Sequence, residues 1–87
     1  MRDAGILDGD YVIVHLQSHA PDNTIVVAYL DGEATVKRLR RTRHGYRLLP
    51  ENPAFKPIEV TDNTRDFRIA GPVVGLLRTQ LFERRGQ

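Results

Sequence analysis

The stretch that decides the fold is IVVAYLDGEATVKRL, residues 25–39. Both of its halves are rich in β-branched and aromatic residues, and Asp31-Gly32 between them is a favoured pair for a two-residue hairpin turn. Such a turn fixes three cross-strand pairs, which are Leu30 with Glu33, Ala28 with Thr35, and Val26 with Lys37. The sequence therefore predicts an antiparallel hairpin.

The rest of the chain shows the same period-two alternation, and no stretch keeps a helical period. Strands are predicted at 10–16, 25–30, 33–41, 46–49, 58–60 and 67–78. Gly71-Pro72 interrupts the last strand and predicts a bulge or bend there. Three prolines within 50–57 exclude a helix, so we expect an ordered loop with Phe55 as its apolar anchor. The predicted fold class is all-β, built from hairpins, with about six or seven strands.

A chain of 87 residues allows one small domain. It contains no cysteine, which excludes disulfides and thiolate metal sites. The three histidines lack metal-ligand spacing and no glycine-rich loop precedes a helix, so we expect no metal and no cofactor. No apolar run approaches the roughly 18 residues of a membrane span. The N-terminus does not resemble a secretory signal, so we expect a cytoplasmic chain without a membrane partner.

Basic residues concentrate in one segment. Thirteen lysines and arginines stand against eleven acids, and six of the thirteen lie within 37–47. Such a cluster could attract a phosphate backbone. It could equally be a solvated strand whose charges discourage edge-to-edge aggregation, and the pattern alone favours this second interpretation.

Lys37 is the most informative candidate residue. The predicted register puts it on the same face as Val26 and Leu39, whereas Arg38 and Arg40 lie on the other face. An amine on an apolar face is desolvated, which favours its neutral form and permits general-base chemistry. The competing interpretation is a lysine whose stem packs on apolar surface while its ammonium reaches water, and the pattern alone favours it.

Several ordered motifs resemble the self-cleaving LexA-type repressors. GILDGDYVIV at 5–14 resembles the segment that follows the family's nucleophile, and 25–39 resembles the segment around its catalytic lysine. LLPENPAFKPI at 48–58 resembles the LexA version in particular, and IAGPVVGLLR at 69–78 resembles the last strand. The resemblance implies a partly open, β-barrel-like sheet of the LexA and signal-peptidase type. It covers residues 1–78 and leaves 79–87 as a polar tail.

The resemblance also implies a Ser–Lys dyad that cuts the protein's own chain, with Lys37 at the position of the general base. The nucleophilic serine would come immediately before Met1, so it is absent from these residues, as are the upstream strands. Ser18 is the only serine and does not match that position. We therefore expect this 87-residue chain by itself to be proteolytically inactive. Asn23 stands where the family often has glycine, and asparagine tolerates the positive φ of such a turn.

Partners follow from the same resemblance. It implies a homodimer through the C-terminal strand, where Val73–Leu77 is apolar and is expected to form an open sheet edge. It implies a RecA filament as partner of the parent repressor of the SOS (DNA-damage) response, and operator DNA only through an absent N-terminal domain. Two alternatives remain open, namely a non-catalytic dimerisation module or inactive relative, and a small basic nucleic-acid-binding β domain.

Overall fold

A computed structural model describes residues 5–7, 9–51, 54–61, 64 and 66–78. These residues form six strands, which are β1 (Tyr11–Val14), β2 (Thr24–Leu30), β3 (Glu33–Thr42), β4 (Gly45–Leu49), β5 (Ile58–Thr61) and β6 (Phe67–Leu77). The strands make one antiparallel sheet in the order β1-β6-β2-β3-β4-β5, and its end strands do not meet. The predicted all-β, partly open sheet is confirmed. The proposed tail 79–87 lies outside the described residues.

No helix long and apolar enough to cross a membrane occurs within the described part of the chain.

The β2–β3 hairpin has the predicted register. Leu30 pairs with Glu33, and Val26 pairs with Lys37. Asp31 has φ 52° and Gly32 has φ 82°, as a type I′ turn requires of both central residues. The turn chemistry therefore sets which side chains of β3 face the core.

The core lies on one face of the sheet. Its buried members are Ala20, Val26, Ala28, Leu39, Leu48, Val60 and Ile69, with Tyr46, Ile58 and Phe67 packed against them. Five strands and the loop before β2 contribute these residues. Because the described strands make a single sheet, these side chains can be buried only if the sheet curves around them.

β6 holds the sheet together by pairing with two strands in succession. Phe67–Pro72 pairs with β2, and Val73–Leu77 pairs with β1. Register shifts at Ala70 and at Val74 confirm the bulge predicted near Gly71-Pro72. The expectation that the last strand forms the end of the sheet is wrong, because β1 continues the sheet beyond it. Val73–Leu77 still has one free edge, because the side that faces away from β1 has no strand partner among the described residues.

Gly71 allows the chain after β1 to cross close to β6. The backbone amide of His15 donates to the Pro72 carbonyl at 3.1 Å, and that of Gln17 donates to the Ala70 carbonyl at 3.1 Å. A Cβ at Gly71 would overlap the carbonyl oxygen of His15, which is backbone and cannot rotate away. Gly75 differs, because a Cβ there would meet only the side chain of Ile13.

Gly71→Ala should therefore lower the free energy of unfolding by about 3 kcal/mol, as severe overpacking does. Gly75→Ala is the matched control and should change it by about 1 kcal/mol or less, because a side chain can shift aside. Urea unfolding followed by circular dichroism measures both values. Equal effects of the two substitutions would contradict the close approach of His15 to β6.

Asp10 joins the two ends of the described chain. Its Oδ1 accepts a hydrogen bond from Arg78 Nε at 2.9 Å, and its Oδ2 accepts bonds from Arg78 Nη2 and the Leu7 amide, each at 2.8 Å. Arg78 Nη2 also donates to the Gly5 carbonyl at 2.8 Å. These hydrogen bonds, first that from the Arg78 side chain and then that from Leu7, lower the pKa of Asp10 from 3.8 to about 2. Gly5, Leu7 and Asp10, which precede β1, are thus fastened to the residue that follows β6.

This contact predicts a defined pH dependence of stability. The pKa of Asp10 is lower in the folded state than in the unfolded chain. Between about pH 4 and about pH 2 the unfolded chain therefore binds more protons than the folded protein, and the free energy of unfolding falls as the pH falls. The contribution of Asp10 is therefore fully present above about pH 4 and is lost as the pH approaches 2. The stability difference between wild type and Asp10→Asn, measured by urea unfolding, should shrink across that interval. A difference that stays constant with pH would contradict the contact.

Candidate active site

β3 places Lys37 on the core face of the sheet, as the sequence predicts. Lys37 lies opposite Val26, and Leu39 follows it on the same face. Val26 and Leu39 have no solvent-exposed surface, whereas Lys37 is half-buried. The amine-bearing side chain therefore leaves the strand at the border of the apolar core.

A cavity of about 290 Å³ opens beside Lys37. It is lined by Leu30, Glu33, Thr35, Lys37, Phe55, Lys56 and Ile58. Leu30 and Ile58 supply apolar walls, and Glu33 and Lys56 supply charge. An extended peptide could enter such a space and meet the amine of Lys37, because the cavity is open and partly apolar.

The backbone behind Lys37 is braced from the opposite face of the sheet. Arg38 Nε donates to Glu51 Oε1 at 2.7 Å, and Arg38 Nη1 donates to the Asn23 carbonyl at 3.0 Å. The Asn23 amide donates to the Leu39 carbonyl at 2.7 Å. Asn23 has φ 65°, which confirms the predicted positive φ at this turn. These bonds fix β3 at the two residues that follow Lys37.

Phe55 corrects one expectation. The sequence predicts it as the apolar anchor of its loop, a role that requires burial, but its surface is 66% exposed. It stands at the cavity beside Lys37, because the loop before β5 runs past β3 at this point. Sequence reasoning missed both Phe55 and Lys56 as neighbours of Lys37. The proline-rich composition of 50–57 predicts order in the loop but not its direction.

The other candidate residues lie elsewhere. Ser18 is exposed in the loop after β1 and is not among the residues that line the cavity. Within the described ranges, no three histidine or acidic side chains are grouped as a metal site. A larger and more open depression of about 620 Å³ lies beside Asp31 and Arg68, but no lysine, serine or histidine lines it. Lys37, by contrast, lines the cavity of about 290 Å³.

The family model described as peptidase S24-like matches residues 1–74. The chain belongs to the peptidase S24-like family. Most of the chain is also similar to proteins called LexA repressor. The one from Bordetella petrii is 54% identical over 80 residues, which is 92% of this chain and 35% of the relative. LexA repressor 2 of Pseudomonas putida is 55% identical over 78 residues, which is 90% of this chain and 38% of the relative.

This S24-like chain thus spans somewhat more than a third of the length of the curated relatives it matches. The matched residues include the whole β2–β3 hairpin and Lys37. The LexA-type resemblance of the motifs is confirmed by these comparisons.

The position of Lys37 predicts that its charge contributes nothing to folding. Lys37→Met keeps an unbranched stem and removes a partly desolvated amine, so the free energy of unfolding should stay unchanged or rise slightly. Leu39→Ala, two residues along the same face, should lower it by about 2–5 kcal/mol. Urea unfolding compares the two variants. If Lys37→Met lowers the free energy of unfolding as much as Leu39→Ala does, the amine of Lys37 is needed for folding.

Proposed function

We propose that this chain is the C-terminal part of a LexA-like repressor that cuts its own backbone through a Ser–Lys dyad. Lys37 is the general base of the dyad, and the serine is supplied by the residue directly before Met1 in the longer protein. The observation that carries this proposal is the placement of Lys37, at the border of the apolar core and beside an open cavity, in a member of the S24-like family.

The chemistry needs a neutral amine. In this proposal Lys37 Nζ, in its neutral form, accepts the proton of the serine hydroxyl within the cavity that Leu30 and Ile58 line. The serine Oγ then attacks the carbonyl carbon of the scissile peptide. When the C–N bond breaks, Lys37 returns the proton to the leaving amine. Water, deprotonated by the same lysine, hydrolyses the acyl ester and restores the serine.

Regulation follows from the same assignment. The longer protein is a cytoplasmic repressor of DNA-damage genes, and its N-terminal domain binds operator DNA. RecA filaments stimulate self-cleavage, which separates that domain from the dimerising part and ends repression. The support for this scheme is the similarity to proteins called LexA repressor.

The test of the dyad uses the longer protein. Lys37→Ala should reduce the rate of self-cleavage by about 100-fold or more, the range for loss of a positioned base. Arg47→Ala is the control, because Arg47 pairs with Glu59 on the opposite face of the sheet. Gel analysis follows cleavage, and circular dichroism confirms folding of each variant. Normal cleavage by Lys37→Ala would remove this residue from the mechanism, and absence of cleavage in the wild type would favour a non-catalytic module.

We further propose that the chain forms a homodimer through β6. Tyr11 and Leu77 are paired across β1 and β6 and share a face, on which Ile13 also lies. Tyr11 is 63% exposed, Ile13 54% and Leu77 54%, and the bulged Val74 is 64% exposed. Tyr11, Ile13 and Leu77 make an exposed apolar patch, and Val74 adds an exposed apolar side chain on the adjoining free edge of β6. Exposed apolar patches of this kind mark interaction sites. A second copy, related by a twofold axis, would cover this surface and the uncovered edge of Val73–Leu77 together.

Light scattering on the 87-residue chain tests the dimer. Val74→Glu should convert it to a monomer, because a charge would be buried in the interface. Ala34→Glu adds the same charge at an exposed position of β3 and should leave the dimer intact. A chain that ends at Arg78 should still associate. A wild-type monomer at every accessible concentration, or species larger than a dimer through exchanged strands, would contradict the proposal.

A further inference from the structure

The arginines of the sheet fall into two groups. Four of them form ion pairs, each with a different carboxylate, namely Arg38 with Glu51, Arg40 with Asp22, Arg47 with Glu59, and Arg78 with Asp10. Arg68 is also engaged, since its guanidinium carbon lies 4.7 Å from the centroid of the Tyr29 ring. These five side chains are therefore already engaged within the fold, four of them by a carboxylate and one by an aromatic ring.

The end of the β3–β4 hairpin is different. Arg41, Arg43 and His44 are exposed, and none of their side chains pairs with a carboxylate of the described residues. The nearby carboxylate of Asp22 is already used, because it pairs with Arg40 and accepts the backbone N–H of Arg41 at 2.7 Å. Arg41, Arg43 and His44 together form what we call the basic hairpin end.

The basic hairpin end forms one shallow depression of about 410 Å³. It is lined by Arg41, Thr42, Arg43, His44, Gly45 and Tyr46. Guanidinium groups present a planar fork of donors that matches phosphate oxygens, and a hydroxyl and an imidazole add further donors. The lining chemistry therefore fits a phosphate group rather than an apolar ligand.

This depression is separate from the candidate active site. Arg43 is six residues beyond Lys37, which corresponds to about 20 Å along an extended strand. The opposite end of β3 carries the acids Asp31 and Glu33, so the charge changes sign along the strand. An anion at the basic hairpin end would leave the cavity at Lys37 open.

We propose that the basic hairpin end contacts the phosphate backbone of duplex DNA without reading its sequence. Duplex is favoured over single strand because the larger aromatic ring of the depression, that of Tyr46, is half-buried, with its centroid 6.1 Å from that of Phe67. Only the small imidazole of His44 is exposed among the lining residues, and a stacking surface for single strands needs several such rings. This contact goes beyond the proposed self-cleavage and does not depend on it.

The contact should be weak and dependent on salt. For each phosphate that a protein neutralises on B-DNA, the logarithm of the binding constant falls by about 0.9 per unit rise in the logarithm of the salt concentration. Two arginines that each neutralise one phosphate therefore contribute a slope of about 1.8. The basic hairpin end would supplement an operator-binding domain rather than replace it.

Fluorescence anisotropy with labelled duplex DNA of unrelated sequence tests the proposal on the 87-residue chain. Arg41→Gln combined with Arg43→Gln should weaken binding at low salt and reduce the salt slope by about 1.8. The matched control combines Arg47→Gln with Arg68→Gln, which removes the same charge from side chains that are engaged elsewhere in the fold and should leave the slope within about 0.5 of wild type. Circular dichroism confirms that both double variants are folded.

Three results would overturn the proposal. Equal weakening by both double variants would show an effect of net charge alone. No measurable binding of wild type to duplex DNA at low salt would remove the site. Tighter binding to single-stranded DNA or to polyglutamate than to the duplex would assign the surface to another partner. None of these measurements depends on self-cleavage, so the proposed peptidase function can fail or stand separately.

Discussion

The type I′ turn at Asp31-Gly32 is the constraint on which the rest of the structure depends. It joins β2 to β3 with two residues, and both adopt the positive φ that this turn requires. Side chains alternate along a strand, so a shift of one residue would move Lys37 to the outer face and bring Arg38 into the core. The exact register therefore decides both the apolar face of the sheet and the position of the Lys37 amine at its border.

β6 extends this arrangement to the ends of the chain. Its first half pairs with β2 and its second half pairs with β1, so one strand connects the hairpin to the N-terminal segment. Gly71 permits the close crossing, and Asp10 with Arg78 fastens the residues before β1. The proposed dyad depends on this fastening, because the residue before Met1 reaches Lys37 only if the segment that follows it is held in place.

Local features of the fold could be predicted from the sequence, because they depend on residues close together in the chain. The Asp31-Gly32 turn, the face of Lys37 and the positive φ of Asn23 are of this kind. Features that join distant segments could not. The place of β6 within the sheet depends on β1 pairing with it, and the exposure of Phe55 depends on where its loop crosses β3. The contact of Asp10 with Arg78 joins residues 68 positions apart, and neither residue signals the other in the sequence.

We propose that Lys37 is the base of a Ser–Lys dyad, and an experimental structure of the longer protein would test this directly. The informative quantity is the distance from Lys37 Nζ to the side-chain oxygen of the residue before Met1. We expect a serine there, with its Oγ about 2.6–3.2 Å from Nζ. A different residue at that position, or a serine oxygen too far away for a hydrogen bond or a single bridging water, would contradict it.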